Sequence, residues 1–218
     1  MKPIFSIIIP VYNRPEEIDE LLASISAQEY DEPFEVCIVE DGSSEKSDLI
    51  INKYTSELSI QYFETENTGP GSSRNYGMTK ATGNYFIILD SDVILPNNYL
   101  AEITKQLEKK YTDAFGGPDA AHPSFSVLQK AINYSMTSFL TTGGIRGNKK
   151  SVGKFQPRSF NMGLSQKAFD ITKGFSNMRA GEDIDLSFRL WEQGLETQLI
   201  DAAYVYHKRR NSFLGFFQ

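Results

Sequence analysis

The first 110 residues alternate between unbroken apolar runs and stretches with helical spacing, and this alternation constrains the fold more than any other feature. The apolar runs are "IFSIIIPV" (4–11), "FEVCIVE" (34–40), "SIQYFET" (59–65) and "NYFIILD" (84–90). Between them, 15–28 carries Ile18, Leu21, Leu22 and Ile25 on one helical face behind Pro15 and two glutamates, as expected for a helix start. A shorter helix is expected over 44–56, a Gly-rich turn entering a helix over 69–81, and another helix over 97–110. Strands that are apolar at every position have no solvent face. They belong in an α/β fold with a Rossmann-like, mostly parallel central sheet flanked by helices on both faces. Ligands of such sheets bind beyond the carboxyl ends of the strands. Polar residues cluster there: Tyr12, Asn13 and Arg14 after the first run, "EDGSS" (40–44) after the second, "ENTGPG" (66–71) after the third, and Asp90-Ser91-Asp92 after the fourth.

The second half is less regular. A fifth strand is expected over 112–118, a helix over 124–140, a strand over 159–165 and a helix over 182–194, with Ile184, Phe188 and Trp191 on one face and Gly194 as its stop. The Gly- and Lys-rich stretch 141–157 has no periodicity and reads as a loop. No repeat or linker interrupts the chain, and 218 residues suit one domain. The net charge of −6 argues against nucleic acid as a partner. The lone cysteine, Cys37, lies in an apolar strand; it excludes an internal disulfide framework and fits a reducing, cytoplasmic compartment. "IFSIIIPVY" is too short and too soon broken by Pro10 for a signal peptide, and no run reaches the roughly 18 apolar residues of a spanning helix. The basic and aromatic end, "HKRRNSFLGFFQ", suits peripheral docking on the inner face of an anionic membrane, or else a basic strand edge with core aromatics.

Each polar cluster has a structural and a functional reading. Asp90 and Asp92 are either a solvated pair capping a turn or hard oxygen ligands for Mg²⁺ or Mn²⁺. Glu40-Asp41-Gly42 is a turn, or a carboxylate that accepts from a nucleobase or sugar. Gly69-x-Gly71 before a helix resembles a phosphate loop, yet lacks the third glycine of a dinucleotide fingerprint and the Gly-Lys-Ser/Thr of a P-loop. Arg74, one turn into that helix, is a surface arginine or a bidentate partner for a diphosphate. Glu182 and Asp183 satisfy a helix dipole or supply a general base. His207 packs, or ligates the metal beside Asp92.

Taken together and in order, "SIIIPVYNRPEEIDELLASISAQ", "VEDGSS", "NTGPGSSRNYG", "ILDSDVILP" and "GEDIDLSFRLWEQG" resemble the inverting family 2 glycosyltransferases of the GT-A fold, over nearly the whole chain. The resemblance implies a nucleotide-diphosphate sugar donor, with UDP favoured, a Mn²⁺ or Mg²⁺ ion, and a saccharide or lipid-linked saccharide acceptor. It divides the single domain 1–218 into a nucleotide-sugar-binding half, 1–115, and an acceptor-binding half, 116–218. Carried over by position, Pro10, Val11 and Tyr12 line the nucleobase pocket and Asp41 accepts from the base. Arg74 lies near the diphosphate, with Arg14, Gly69 and Ser91 on the donor, and Asp90 contacts ribose or metal-bound water. Asp92 ligates the metal and Asp183 is the general base; His207, read from its basic neighbours and the strand before it, is expected as a further metal ligand. Glu182, Gly144 and the segments 141–157 and 159–165 are expected to meet the acceptor.

Ser73 stands where the family usually has alanine, and Glu40 where aspartate is common. The Gln-x-x-Arg-Trp motif of processive synthases is absent, so transfer of single sugars to a hydroxyl is implied, in polysaccharide or glycoconjugate synthesis. Two rivals remain at this stage. "LDSDV" also fits a haloacid-dehalogenase-like phosphatase, with Asp90 as nucleophile and Asp92 as acid, although that motif normally follows the first strand. A non-catalytic nucleotide-sugar-binding protein would leave Glu182 and Asp183 unused.

Overall fold

The computed structural model describes residues 2–137, 154–178 and 180–208. Its strands are β1 (Phe5–Val11), β2 (Phe34–Asp41), β3 (Ile60–Thr65), β4 (Tyr85–Leu89), β5 (Val93–Ile94), β6 (Ala114–Gly116), β7 (Asp119–Ala120), β8 (Asn161–Ser165), β9 (Thr197–Leu199) and β10 (Val205–His207). Its helices are α1 (Pro15–Ser26), α2 (Asp48–Ile51), α3 (Pro70–Lys80), α4 (Tyr99–Lys109), α5 (Val127–Thr137), α6 (Gln166–Thr172) and α7 (Glu182–Glu192).

Seven strands form one sheet in the order β3-β2-β1-β4-β8-β6-β9. The four apolar runs of the first half pair in parallel, and β8 enters antiparallel between β4 and β6. Alternate residues of each strand face opposite sides of a sheet, and here both sides are dry. Phe5, Ile7, Ile9 and Val11 of β1, with Tyr85, Ile87 and Leu89 of β4, pack against α1 and α4 through Ile18, Leu21, Leu22, Ile25, Leu100 and Ile103. Ile8, Cys37, Phe86 and Ile88 face the other way, onto Met78 of α3 and Leu186 and Leu190 of α7. This two-sided burial is why the strands read as continuous apolar runs. It also pushes the Cys37 thiol up to about 12, which makes it an inert core residue. α3 lies close on the sheet because Gly77 has no side chain: a Cβ there would stand 2.8 Å from Ile8 Cγ2.

Several elements differ from expectation. The helix expected over 44–56 shrinks to the single turn of α2, because Glu40 takes the backbone N–H of Ser47 at 3.0 Å and turns fill the rest. The strand expected over 112–118 is only β6, which ends where Gly117 presses against the backbone of Ala203. The apolar face expected for α7 is the wrong one. Its buried residues are Leu186, Ser187 and Leu190, whereas Phe188 is 51% exposed and stacks edge-on with Trp191 at 5.3 Å. Burial in the second core, not the larger aromatics, decides which side of this helix faces the sheet. The short elements β5, β7, α6 and β9 carry no sequence signal of their own: two- and three-residue strands have no periodicity, and a seven-residue helix has little. Most of the 141–157 stretch, Gly144 included, and the chain end after Lys208 lie outside the described residues.

A second, three-stranded sheet, β5-β10-β7, is functionally telling. β10 pairs antiparallel with β5, opposing His207 to Val93, and so brings the far end of the described chain onto the segment that follows Asp92.

Candidate active site

The carboxyl ends of β1 to β4 open into a cleft of about 440 Å³, within the usual range for small-molecule sites. It is lined by Pro10, Val11, Tyr12 and Arg14 from the tip of β1, by Asp41 from β2, by Asn67, Gly69, Pro70 and Arg74 around the start of α3, and by Asp90, Ser91 and Asp92 from the tip of β4. Every residue expected on the donor is therefore on one wall or another of a single cavity. Glu182, Asp183 and His207 are outside that lining; Glu182 meets it through Arg74 and His207 through Asp92, whereas Asp183 has its side-chain partners in Ser159 and Arg158.

The upper wall is fixed by side-chain-to-backbone bonds between strand tips. Asn13, in the left-handed region at φ 51°, accepts at Oδ1 from the Ser44 and Glu45 amides, at 2.8 and 3.0 Å. Asp41 accepts from the Thr68 amide at 2.8 Å and the Gly69 amide at 2.9 Å. Both of its oxygens thus hold the turn into α3; Oδ1 also accepts from Thr68 Oγ1 at 3.4 Å, and Oδ2 keeps a lone pair to spare. Gly69 has φ 91° and open space around it, so its requirement is conformational.

The floor is a chain of charges. The Arg74 guanidinium is only 4% exposed; it donates to Asp90 Oδ1 at 2.6 Å and Glu182 Oε1 at 3.2 Å, and lies over the Phe175 ring. Arg14, 48% exposed, donates through Nη1 to Glu17 at 2.8 Å and to Asp92 Oδ2 at 3.2 Å. The other oxygen of Asp92 meets His207 Nε2 at 3.1 Å, and the His207 ring stacks on Phe160 at 5.0 Å. Burial alone pushes the Asp92 carboxyl up, the largest single influence. The hydrogen bond and charge of His207, with the charge of Arg14, outweigh it and hold the group below the usual carboxylate range.

Asp90, Asp92 and His207 each offer one ligand atom, and the three atoms lie within 4.8 Å of one another. Two carboxylate oxygens and an imidazole nitrogen make a donor set that fits a first-row divalent ion. The imidazole favours Mn²⁺ over Mg²⁺, and a donor's phosphate oxygens would fill the remaining positions. His207 is readable from sequence as one of two histidines, after a strand and beside a basic stretch; its approach to Asp92 depends on the β10–β5 pairing, which is invisible in sequence.

Asp183 is the second residue of α7, after Glu182 and the N-cap Gly181, which is left-handed at φ 80°. Its Oδ1 accepts from the Ile184 amide at 2.8 Å, while Oδ2 faces the Ser159 amide at 3.4 Å and Arg158 Nε at 3.5 Å. Glu182 turns to Arg74 and to Ser159 Oγ at 3.5 Å. Neighbouring acids at one helix start thus have different partners. Ser159, inside the segment expected to meet the acceptor, and Arg158, which sequence reasoning missed, tie α7 to the segment before β8.

Comparison with known proteins places this architecture. The family model for glycosyl transferase family 2 matches residues 6–171. The poly(ribitol-phosphate) beta-N-acetylglucosaminyltransferase TarS of Staphylococcus aureus is 32% identical over 112 residues, covering 50% of this chain and 20% of its own length. The chondroitin synthase of Pasteurella multocida is 26% identical over 237 residues, covering 93% of this chain and 24% of that protein. The chain therefore spans about a fifth to a quarter of the length of these curated relatives. Among solved structures, TarS 1–349 in complex with UDP-GlcNAc superposes with a TM-score of 0.71 at 23% identity, over 96% of this chain and 59% of that one. The mannosyltransferase PcManGT of Pyrobaculum calidifontis, in complex with GDP-Man and Mn²⁺, gives 0.76 at 18% identity, over 100% of this chain and 60% of that one. At such identities the likeness is one of fold, and the fold is that of the GT-A glycosyltransferases. The family match covers the β1–β4 tips and the Asp90–Asp92 stretch, so the phosphatase alternative is dropped: the chain belongs to glycosyl transferase family 2.

Proposed function

We propose that this chain is a metal-dependent, inverting glycosyltransferase that moves one sugar from a UDP-sugar to an acceptor hydroxyl, in polysaccharide or glycoconjugate synthesis. The observation that carries the reading is the convergence of Asp90, Asp92 and His207 at one end of the cleft that closes the carboxyl ends of β1 to β4. A nucleotide fits along the β1 and β2 tips, with Pro10, Val11 and Tyr12 against the base and Asp41 accepting from it through the lone pair left on Oδ2. UDP is favoured over GDP by the UDP-GlcNAc bound to TarS, a relative by sequence as well as fold; the GDP-Man of the mannosyltransferase marks the competing choice.

Asp92, Asp90 and His207 would hold the divalent ion, which when bound supplies Lewis-acid neutralisation of the leaving diphosphate. Arg74 keeps Asp90 aimed at that end and ties it to Glu182. Asp183 takes the proton from the acceptor hydroxyl as the anomeric carbon gains oxocarbenium character, and attack from the opposite face inverts the centre. The acceptor lies against Glu182, residues 159–165 and the 141–157 stretch, Gly144 included. The chain works as one domain, 1–218, in the cytoplasm, and its basic and aromatic end contacts the membrane that carries a lipid-linked acceptor. No helix among the described residues is long and apolar enough to cross a membrane.

Calorimetric titration of UDP with Mn²⁺, and with chelator, into wild type and Asp92→Ala tests the reading. Binding that needs metal and is lost in the variant is expected. UDP binding that is indifferent to both metal and Asp92 would remove the metal site, and GDP bound in place of UDP would reassign the base.

A further inference from the structure

The two arginines of the site are unequal. Arg74 is buried and clamped between Asp90 and Glu182 through separate nitrogens. Arg14 is half exposed, lines the cleft, and spans Glu17 and Asp92 with one nitrogen, standing closer to Glu17. Its backbone is the N-cap of α1, and Glu17 lies one turn on, so the guanidinium can keep Glu17 while it leaves Asp92. The charges point the same way. Glu17, Asp90, Asp92 and Glu182 face two guanidiniums, so the carboxylates of this group outnumber its arginines by two, and a divalent ion is the cation that offsets such an excess. A diphosphate then brings fresh negative charge to the same cleft, which Arg14 lines, and a guanidinium released from Asp92 is a cation that can meet it while Arg74 stays paired with Asp90 and Glu182.

We propose that Arg14 is a tethered counter-cation of the metal site: it occupies Asp92 Oδ2 before the divalent ion binds, yields that oxygen to the ion, and from its anchor on Glu17 then faces the donor's diphosphate. Arg14 is a positioning residue in this scheme, competing with the metal and cooperating with the nucleotide. The inference rests on the metal-site reading above and goes beyond it by giving one side chain opposite effects on two ligands.

The test is Mn²⁺ binding without nucleotide, followed by the electron paramagnetic resonance signal of free Mn²⁺, and then UDP binding at saturating Mn²⁺. Wild type, Arg14→Ala and Lys208→Ala are compared. Arg14→Ala is expected to bind Mn²⁺ about threefold to tenfold more tightly and UDP about tenfold more weakly, the scale of a partly buried ion pair. Lys208 pairs with Glu20 and reaches Asp92 only through its backbone amide, so removing its charge controls for long-range electrostatics. Lys208→Ala is expected to move either affinity by less than about twofold. Damage to the fold would weaken both ligands together; a loss of Mn²⁺ affinity in Arg14→Ala, or no change, overturns the inference. A gain in Lys208→Ala equal to that in Arg14→Ala overturns it too, since general charge would then explain the effect. If wild type binds UDP but no Mn²⁺, the metal-site reading itself falls and takes the inference with it; Mn²⁺ bound equally by wild type and Arg14→Ala sinks the inference alone.

Discussion

The two ends of the central sheet each bury carboxylates, and they treat them in opposite ways. At the amino ends of the strands, Glu35 of β2 accepts from Ser6 Oγ at 2.6 Å, the Thr82 amide at 2.6 Å, Thr82 Oγ1 at 2.9 Å and Gln61 Nε2 at 2.6 Å. At the carboxyl ends, Asp90 and Asp92 are held by Arg74, Arg14 and His207. Both Glu35 and Asp92 are kept ionised against burial, the first by neutral donors on the neighbouring strands β1 and β3 and in the turn before β4, the second by side chains that carry or can carry charge. Neutral donors locked in the sheet satisfy a charge permanently. Cations on side chains satisfy it provisionally, because another cation can take their place. One end of the sheet is thereby closed and the other left exchangeable, although both are built from the same strands.

The largest expected effect lies at the exchangeable end. Asp183→Asn should lower sugar transfer by about 10³-fold, the scale of a lost general base, while UDP affinity stays within about twofold of wild type. Single-turnover assays beside UDP titrations separate the two. A variant that loses donor binding in step with turnover would make Asp183 part of the donor site.

Glu35→Gln should do the reverse: no change in UDP affinity, and a loss of about 2–3 kcal/mol of stability as charge-assisted bonds become neutral ones or are broken. The sign with pH follows from the direction of the shift. Glu35 has its folded-state pKa lowered, burial opposing and the Ser6, Thr82 and Gln61 bonds prevailing. Its contribution is therefore full above the unfolded value of about 4.3 and is lost as pH falls through the folded value. Urea midpoints at pH 7 and at about pH 3 should show wild type and Glu35→Gln drawing together in acid. An equal gap at both pH values would mean that Glu35 acts through shape and not charge.

Much of this contrast was legible in the sequence, and the limits have physical causes. β1, β2 and β4 announced themselves because both faces of each are dry, as Ile7 and Ile9 against α1 and Ile8 against α3 show, while β3, at the sheet edge, is only half-buried. Once the strands were placed, the rule of the carboxyl ends brought Tyr12, Asp41, Gly69, Arg74, Asp90 and Asp92 to one cleft. What the sequence withheld was partnership. That Arg74 joins Asp90 to Glu182, 108 positions away, depends on α7 meeting α3. That Glu35 is the best-satisfied acid at the far end depends on three strands in register. The helical spacing of Ile184, Phe188 and Trp191 pointed to the wrong face of α7 because Leu186 and Leu190 form an equally good stripe, and only the shape of the second core chooses between them.

A smaller effect probes the frame between the two ends. Gly77→Ala puts a methyl 2.8 Å from Ile8 Cγ2 and 3.3 Å from Val39 Cγ2, so α3 must lift from the sheet or the strand side chains must turn. A cost of about 1–3 kcal/mol is expected from such overpacking. Because α3 carries Arg74 three residues earlier, a weaker UDP affinity should accompany it, whereas Glu35→Gln leaves UDP untouched; thermal melts and UDP titrations on both variants show whether the two ends are mechanically separate.

The smallest effect separates location from wiring. Glu40 sits at the carboxyl end, one residue before Asp41, yet it is wired like Glu35: it accepts from Ser43 Oγ, from the Ser47 amide at 3.0 Å and from Tyr62 OH at 3.2 Å, and is 1% exposed. Burial and then the Glu40 charge push the Tyr62 phenol up, which keeps it a donor. Aspartate, common at this position in the family, is one methylene shorter and cannot span all three partners from the same backbone. Glu40→Asp should therefore cost about 1 kcal/mol, one net hydrogen bond, and leave metal-dependent UDP binding within about twofold. If that variant instead changed Mn²⁺ or UDP affinity as strongly as Arg14→Ala, nearness to the cleft would matter more than the kind of partner. A purely structural loss would show that a carboxylate at the functional end becomes exchangeable only when a displaceable cation, and not a set of fixed dipoles, holds it.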